Sequence, residues 1–258
     1  MALTLITGAS SGIGLELAKV AARNGDELVL VSRNAEILKA LSADIEKSFG
    51  VTAHVLAVDL SADTAAAAIH AWCDAKGLKV DHLVNNAGFG DLSSFAEADP
   101  EKISGMIAVN IGALTMLTRF FLPGMISRGY GRILNVSSLA AFQPGPLMAV
   151  YYATKSFVLS FSEALRIELE GTGVKVTTLC PGPTSSNFKE AANMESSRLM
   201  NGKKLPTSDE VAAFGYEAMK KGRGVVVHGF VNKFFAFTNR FTPRDWAARV
   251  ARYLNSAG

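Results

Sequence analysis

Histidine and cysteine are scarce in this chain. The four histidines are His54, His70, His82 and His228. Their positions lack the spacing of metal ligands, so we expect no metal centre. The two cysteines, Cys73 and Cys180, lie far apart in apolar stretches. Two distant thiols exclude a disulfide framework and are typical of a reducing compartment.

Unbalanced charge and long hydrophobic runs are also lacking. The formal net charge is +3, from 26 basic and 23 acidic residues spread over 258 positions, which argues against a nucleic-acid-binding stripe. The apolar run 116–126 is interrupted by Arg119 and Pro123 and is too short to cross a bilayer. No cationic leader precedes the first apolar segment, so we expect no secretory signal and a cytoplasmic protein.

What the chain has instead is a regular alternation of β-rich and helical patterns. The predicted strands are 3–7, 28–32, 53–59, 82–86, 132–137, 174–180 and 224–228. The predicted helices between them are 13–23, 35–49, 64–75, 100–127, 150–170 and 208–221. This order predicts a Rossmann-like, doubly wound α/β fold with a seven-stranded, mostly parallel sheet and helices on both faces. No linker or repeat divides residues 1–258, so we expect one domain.

A glycine-rich turn, Thr7 to Gly14, separates the first strand from the first helix. Glycines in such a turn let the backbone approach a pyrophosphate at the start of the helix. Because the spacing is Gly-x-x-x-Gly-x-Gly, the turn alone is a weak signal. It also matches the Gly-x-Ser-x-Gly elbow of serine hydrolases around Ser10. Only one strand precedes Ser10, which leaves no earlier strand to carry an oxyanion loop, so a hydrolase is a minor alternative.

Tyr151 and Lys155 stand four residues apart on a predicted helix, with Ser138 thirteen residues before Tyr151. Positions i and i+4 share a helix face, so the Lys155 ammonium can lie beside the Tyr151 phenol and favour its ionised form. A free phenol holds its proton too tightly to act as a base near neutrality. Tyr152 is also within helical reach of Lys155, so local geometry leaves two candidates for the acid.

Taken together, these motifs resemble the short-chain dehydrogenase/reductase family over nearly the whole chain. The matching residues are the turn 7–14, Asn85-Asn86-Ala87-Gly88, the set Asn110, Ser138, Tyr151 and Lys155, and Pro181-Gly182. Several short motifs in the family's order, in a matching strand and helix order, are a specific signal. The resemblance implies hydride transfer between a nicotinamide cofactor and a carbonyl or alcohol carbon.

The resemblance also implies a role for each residue of the set. Tyr151 is the acid or base, Lys155 lowers its pKa and binds the nicotinamide ribose, Ser138 bonds the substrate oxygen, and Asn110 positions a water. The family's spacing selects Tyr151 over Tyr152. It likewise selects Ser138, which leaves neighbouring Ser137 structural. Taken alone, Asn110 would be a polar residue that caps or bends a long helix.

The end of the second strand indicates the cofactor. An acidic residue there would bind the ribose 2′-hydroxyl of NAD, but Ser32 and Arg33 occupy this place, which favours NADP(H) over NAD(H). By resemblance, Asp59 contacts the adenine with Leu60 beside it, and Thr184 contacts the nicotinamide amide or the phosphates. The predicted cofactor-binding residues are Gly8, Ser10, Ser11, Gly12, Ile13, Gly14, Arg33, Asp59, Leu60, Asn86, Ala87, Gly88, Tyr151, Lys155, Pro181, Gly182 and Thr184.

The segment 184–206 is long for a connection and carries apolar residues among polar ones, which favours a lid over an apolar substrate. Those residues are Phe188, Met194, Leu199 and Met200. Four more residues are expected at the substrate pocket: Phe89, Phe95, Phe142 and Met148. A surface loop and ordinary core packing are the alternatives for the two sets.

The C-terminal extension, about 229–258, interleaves aromatic residues with Lys and Arg, which suits an oligomer contact or an interfacial membrane segment. We favour the oligomer contact. Family members commonly dimerise through the helices that correspond to 100–127 and 150–170, so a homo-oligomer is expected. A non-catalytic sensor of NADP(H) is the alternative function, although the complete catalytic set favours an enzyme.

Overall fold

Parallel β-strands form the centre of the protein, as the computed structural model shows for residues 1–185, 188–194, 197–198 and 205–256. In this part of the chain the sheet has seven strands in the order β3-β2-β1-β4-β5-β6-β7. The strands are β1 (Leu3–Thr7), β2 (Glu27–Ser32), β3 (Ala53–Ala57), β4 (His82–Asn85), β5 (Gly131–Val136), β6 (Val174–Cys180) and β7 (Val225–Val227). Every neighbouring pair is parallel. The predicted fold class is confirmed, with strand ends shifted by no more than two residues.

Helices cover both faces of the sheet. Those that precede β7 are α1 (Gly12–Arg23), α2 (Ala35–Phe49), α3 (Ala65–Ala75), α4 (Pro100–Ile107), α5 (Leu114–Ser127), α6 (Ala149–Glu168) and α8 (Ser208–Lys220). A four-residue helix, α7 (Phe188–Ala191), precedes α8, and α9 (Phe230–Thr238) and α10 (Arg244–Asn255) follow β7. Successive strand residues point to opposite faces: Leu28 and Leu30 pack toward α1, α2 and α8, whereas Val29 and Val31 pack toward α3, α5 and α6.

The predicted helix over 100–127 is interrupted. Between α4 and α5 the residues Ala108–Ala113 form a π-helical segment, which contains Asn110. Insertions of this kind are rare and often accompany functional sites, and hydrophobic periodicity does not reveal them. The prediction of an uninterrupted α-helix was therefore wrong at its centre.

The stretch Pro100–Ser127 is long and apolar enough to cross a bilayer by length and composition, because it has 28 residues and contains an 18-residue window with a mean hydropathy of 1.5. The prediction that the apolar run 116–126 is too short to cross a bilayer was therefore wrong about the length, because the helical stretch begins at Pro100. Length and composition do not by themselves establish a span. In this structure Leu117, Phe121 and Met125 are buried in the core beneath the sheet, as in the core helix of a globular domain.

The strand order reverses beside β1, because β2 lies on one side of it and β4 on the other. Open parallel sheets bind ligands at such a switch point, outside the carboxyl ends of the strands. The turn after β1 and the Asn86-Ala87-Gly88 loop after β4 both lie there. The topology therefore positions two of the predicted cofactor motifs side by side.

Candidate active site

Side-chain hydrogen bonds tie the ends of β1 and β4 together. The Thr7 hydroxyl oxygen accepts from the backbone N–H of Asn86 at 3.0 Å and of Ala87 at 3.1 Å. The Asn86 side-chain amide donates to the carbonyl oxygens of Thr7, at 3.0 Å, and Gly8, at 3.3 Å. These bonds fix the glycine turn against the β4 loop.

The glycines of this turn are required by conformation and by space. Gly8 and Gly12 have φ of 68° and 55°, in the left-handed region that favours glycine. A Cβ at Gly14 would collide with the carbonyl oxygen of Gly8 and with the Asn86 side chain. Helix α1 therefore begins very close to the turn, which leaves its first N–H groups facing the crevice.

The start of α1 has the properties of an anion site. Its first turn holds no acidic residue, and Ser11 occupies the N-cap position without a capping hydrogen bond from its side chain. Ser11 is exposed, and Ser10 and Ile13 are half-buried. The unpaired N–H groups and the helix dipole suit a pyrophosphate, so the residues present fit a dinucleotide.

The hydrolase alternative gains no support from the histidines. His54 pairs with Glu27, His70 with Asp74 and His82 with Asp26. The ring of His228 packs against that of Phe214, with the two centroids 5.3 Å apart. Each histidine thus has a partner away from Ser10, and none of these contacts forms a catalytic pair with it.

The end of β2 carries a buried hydroxyl and an exposed cation. The Ser32 hydroxyl is buried and, within the described residues, has no hydrogen-bond partner, while the Arg33 side chain is exposed. Two hydrogen bonds from Ser61 lower the pKa of Asp59, and the charge of Arg33 lowers it further. Asp59 is exposed and Leu60 is buried beside it. A cation and a hydroxyl, with no acidic residue at the carboxyl end of β2, fit a ribose 2′-phosphate.

Asn110, Gly88 and Lys155 meet behind the β4 loop. The Asn110 side chain accepts from the N–H of Phe89 at 3.1 Å, and it donates to the Phe89 carbonyl at 2.9 Å and to the Thr154 hydroxyl at 3.0 Å. A Cβ on Gly88 would lie 3.0 Å from Asn110 Oδ1 and 3.2 Å from Lys155 Nζ. Asn110 therefore holds the loop against α6, and its predicted role in placing a water stays a prediction.

Tyr151 and Lys155, which are buried, and Ser138, which is half-buried, form one group at the carboxyl ends of β5 and β6. Lys155 Nζ donates to the Val136 carbonyl at 3.0 Å and lies 5.7 Å from the centroid of the Tyr151 ring. Ser138 caps a short 3₁₀ turn, where its hydroxyl oxygen accepts from the N–H of Ala140. Ser138 also forms a hydrogen bond with the Tyr151 phenol.

The acidity of this group differs from the expectation. Burial raises the pKa of Tyr151 well above its ordinary value, and the hydrogen bond with Ser138 opposes the rise only in part. Burial also lowers the pKa of Lys155 to about 8. In the chain by itself Ser138, and not Lys155, is the group that lowers the pKa of Tyr151, and loss of solvation outweighs it, so the lowering predicted for Lys155 stays a prediction. Tyr151 carries its proton at neutral pH.

Tyr152 and Ser137, the neighbours that were alternatives to Tyr151 and Ser138, form hydrogen bonds with other residues. The Tyr152 hydroxyl donates to Asn255 Oδ1 at 3.3 Å, which directs it toward α10 and away from Ser138. The Ser137 hydroxyl donates to the Lys155 carbonyl at 2.8 Å. Sequence reasoning missed Asn255, because a pair separated by 103 residues leaves no local signal.

The loop after β6 closes the site from the other side. The Pro181 carbonyl accepts from the N–H of Leu139 at 2.7 Å, next to Ser138. The Thr184 hydroxyl donates to the Gly182 carbonyl at 2.9 Å. A Cβ at Gly182 would overlap the side chain of Asn232, a residue of α9 that was not anticipated. Pro181 and Gly182 thus lie beside the catalytic set, between it and the C-terminal helices.

An apolar cluster surrounds the Tyr151 ring. The Phe188 ring packs against it at a tilt of 46°, with the two centroids 5.4 Å apart, and Met148, Met194 and Phe89 belong to the same cluster. Phe95 lines a cleft beside Tyr151. Phe142 was expected here but packs with Cys180, Val227 and Ala236 instead, because the 3₁₀ turn after Ser138 carries it toward β7. Leu199 and Met200 lie outside the described residues.

A parallel sheet with a glycine turn at its switch point and a Ser–Tyr–Lys group at its carboxyl edge defines a dinucleotide-binding oxidoreductase. Comparison with known proteins agrees with this class. A family model described as short chain dehydrogenase matches residues 2–197. The chain belongs to the short-chain dehydrogenase family.

Individual relatives show how far the likeness extends. The chain is 36% identical over 181 residues to a very-long-chain 3-oxoacyl-CoA reductase of Rattus norvegicus, which is 69% of this chain and 57% of that protein. The solved structure of a short-chain dehydrogenase from Sphingobium yanoikuyae in complex with NADPH is 30% identical, covers 93% of this chain and 94% of its own, and superposes with a TM-score of 0.84. A 7beta-hydroxysteroid dehydrogenase structure is 26% identical with a TM-score of 0.86, over 97% of this chain and 96% of its own.

The chain spans only part of the curated relatives that it matches, 57% of the rat protein and 31% of an oxidoreductase of Mycobacterium tuberculosis. The two solved structures, by contrast, cover 93% and 97% of this chain.

Proposed function

We propose that this protein is an NADP(H)-dependent reductase that delivers a hydride to the carbonyl carbon of an apolar substrate. The observation that carries the proposal is the group of Ser138 with the buried Tyr151 and Lys155, placed beside the switch-point crevice. A bound reduced nicotinamide would supply the hydride.

The residues of the chain would handle the proton and the developing charge. Tyr151 is protonated at neutral pH because burial raises its pKa, so it can donate a proton to the substrate oxygen as that oxygen gains charge. Ser138 would hold the same oxygen by a hydrogen bond. Lys155 would bind the nicotinamide ribose, and Asn110 keeps the adjoining loop in place through Phe89. The protonated phenol suits the reductive direction.

The substrate is proposed to be bulky and apolar. Phe188, Met148 and Met194 place apolar surface around the reacting phenol, which would bury hydrocarbon and exclude water. The names of the relatives, which include a 3-oxoacyl-CoA reductase and a hydroxysteroid dehydrogenase, support the same class. Phe188 and Met194, which belong to the segment predicted as a lid, would cover this substrate.

The test is consumption of NADPH, followed by its absorbance, against 3-oxoacyl thioesters of increasing chain length, bulky diaryl and steroid ketones, and short polar ketones as comparators. We expect kcat/KM to rise with apolar surface. Tight NADPH binding without turnover on any member of the panel would contradict the reductase and favour the sensor of NADP(H).

Cofactor preference can be tested at Arg33. Replacing Arg33 by alanine is expected to lower kcat/KM for NADPH by roughly 10- to 100-fold and leave NADH nearly unchanged, because a charged hydrogen bond to the 2′-phosphate contributes about 1.5–3 kcal/mol. Steady-state kinetics with both cofactors measure the ratio. Arg23→Ala, at another exposed arginine, is the matched control. An equal loss with NADH would overturn the assignment.

We further propose a cytoplasmic homo-oligomer formed through α4, α5 and α6. Ile107, Met116, Phe157 and Ile167 on these helices are between 38% and 53% exposed, and such apolar surface suits a subunit contact. Light scattering on the purified protein would measure its mass. A monomeric mass at micromolar concentration would contradict this arrangement.

A further inference from the structure

The two C-terminal helices present an unusual amount of exposed apolar surface. On α9 and the turn after it, Phe230 is 85% exposed and Phe241 75%, and on α10 Trp246 is 71% exposed. The further members of this surface, which we call the aromatic face, are Val231, Phe234, Phe235, Phe237, Val250 and Tyr253, all more than half exposed. Large apolar surfaces of this kind mark interaction sites.

The aromatic face is not a sign that the helices are loosely attached. The opposite side of α10 carries Ala247, Ala251 and Asn255, which are buried. Asn255 donates to the Pro146 carbonyl at 3.0 Å and accepts from the Tyr152 hydroxyl. Ala236 of α9 is buried against Cys180 and Val227. Both helices are therefore held to the body of the protein, and their exposed sides are available to a partner.

Positive charge is concentrated on the same two helices. Residues 229–258 contain five basic residues and one acidic residue, a net charge of +4, whereas the whole chain carries +3. The rest of the chain thus carries −1. The five are Lys233, Arg240, Arg244, Arg249 and Arg252, and within the described residues none of them forms an ion pair.

A groove between α9 and the edge strand β7 combines the two properties. Its apolar lining includes Phe142, Phe214, Val227 and Phe237. Its cations are Arg223, Lys233 and Arg240, and the described lining contains no acidic residue. An apolar floor under three uncompensated cations is complementary to an amphiphile with an anionic head.

We propose that the aromatic face docks on an anionic lipid surface, with aromatic side chains in the headgroup boundary and the five cations beside the lipid phosphates. Aromatic and basic residues on surface helices are the composition of interfacial membrane segments. A second copy of the chain is the weaker occupant, because a two-fold contact through this face would set +4 against +4. The positive charge of the aromatic face therefore disfavours contact with a second copy of the chain and favours contact with anionic lipid.

The test is flotation of the full chain with vesicles of phosphatidylcholine, alone or with added phosphatidylserine. We expect binding only to the anionic vesicles and loss of that binding at high salt. The fluorescence of Trp246 should shift to the blue on binding, and a Trp246→Phe variant should keep the binding and lose the shift. Binding to neutral vesicles of equal strength, or no binding at all, would overturn the proposal.

Two matched triple variants distinguish binding through the aromatic face from a general effect of positive charge. Arg240→Gln/Arg244→Gln/Arg249→Gln is expected to weaken the partition at least about tenfold. Arg23→Gln/Lys39→Gln/Lys47→Gln removes the same charge from α1 and α2 and should bind as the wild type does. If both triple variants weakened vesicle binding equally, the proposal would be overturned. It would also be overturned if the protein were a dimer that Phe234→Ser converts to a monomer without any change in vesicle binding. NADPH affinity, which does not involve this face, should be unchanged and reports folding.

Discussion

Replacing Tyr151 by phenylalanine is expected to lower kcat for carbonyl reduction by roughly 10²- to 10⁴-fold, with little change in NADPH affinity. The substitution removes one oxygen from a buried ring and leaves the ring contacts with Phe188 and Tyr152 in place. What it removes is the proton that the substrate oxygen would receive. Single-turnover measurements with saturating NADPH would isolate the chemical step.

The size of this effect follows from the surroundings of the phenol. Burial keeps Tyr151 protonated, and within the apolar cluster no water replaces it easily as a proton donor. Lys155 lies 5.7 Å from the ring centroid, close enough to stabilise the phenolate that forms as the proton leaves. Without the Tyr151 phenol, the substrate oxygen would have to become an alkoxide in an apolar pocket with no proton donor beside it.

Tyr152→Phe is the matched control for Tyr151→Phe. Its hydroxyl donates to Asn255, so its loss should reduce stability by about 1 kcal/mol and leave kcat within about twofold. If the two variants lost activity equally, or if Tyr151→Phe remained active, Tyr151 would not be the acid. Unchanged NADPH binding in both variants would show that the cofactor crevice is intact.

The strands and the position of the site could be predicted because both follow local rules. Apolar runs between turn residues define the strands, and the strand and helix order places the loops after β1 and β4 at one edge. The glycines at positions 8, 12 and 14 signal a close backbone approach, which the structure shows.

What could not be predicted depends on contacts between distant parts of the chain. The π-helical segment around Asn110 changes the helical hydrogen bonding without changing the apolar pattern. The direction of the Tyr151 pKa shift depends on how completely tertiary packing removes water from the phenol. The packing of Phe142 and the hydrogen bonds of Asn255 both depend on how α9 and α10 dock on the rest of the protein, which no periodicity in the sequence describes.

The amino end of the sheet, opposite the site, holds a buried polar network around Asp26. The Asp26 carboxylate accepts from the hydroxyls of Thr4 and Tyr216, each at 2.7 Å, and lies 3.2 Å from His82 Nδ1. His82 Nε2 is 3.1 Å from the hydroxyl of Tyr130. The network thereby joins β1, β2, β4 and α8 through one carboxylate.

Burial acts to raise the pKa of Asp26, but the hydrogen bonds from His82, Thr4 and Tyr216 outweigh it and hold the pKa below its ordinary value. A carboxyl with a lowered folded-state pKa stabilises the fold at any pH above its unfolded pKa of about 3.9. This stabilisation is lost as the pH falls through the lower folded-state value. The contribution is therefore fully present at neutral pH and fades in acid.

Replacing Asp26 by alanine is expected to lower the free energy of unfolding at pH 7 by about 3–5 kcal/mol, because the buried Tyr216 hydroxyl loses its acceptor and the Thr4 hydroxyl and His82 Nδ1 keep only their contact with each other. Urea denaturation would measure the loss, and the gap to wild type should narrow below about pH 4. Asp74→Ala is the control, because Asp74 pairs with His70 on the exposed side of α3 and should cost less than about 1 kcal/mol.

Asp26→Asn keeps the shape of the side chain and serves if the alanine variant does not fold. The Asp26→Asn variant should lose less stability than Asp26→Ala. Position 26 should then make no pH-dependent contribution to the free energy of unfolding in acid, since an amide does not titrate. A variant at Asp26 as mild as Asp74→Ala would show that the network is dispensable. Because the network lies at the opposite end of the sheet from Tyr151, any folded Asp26 variant should keep the KM of the wild type, which separates this structural role from catalysis.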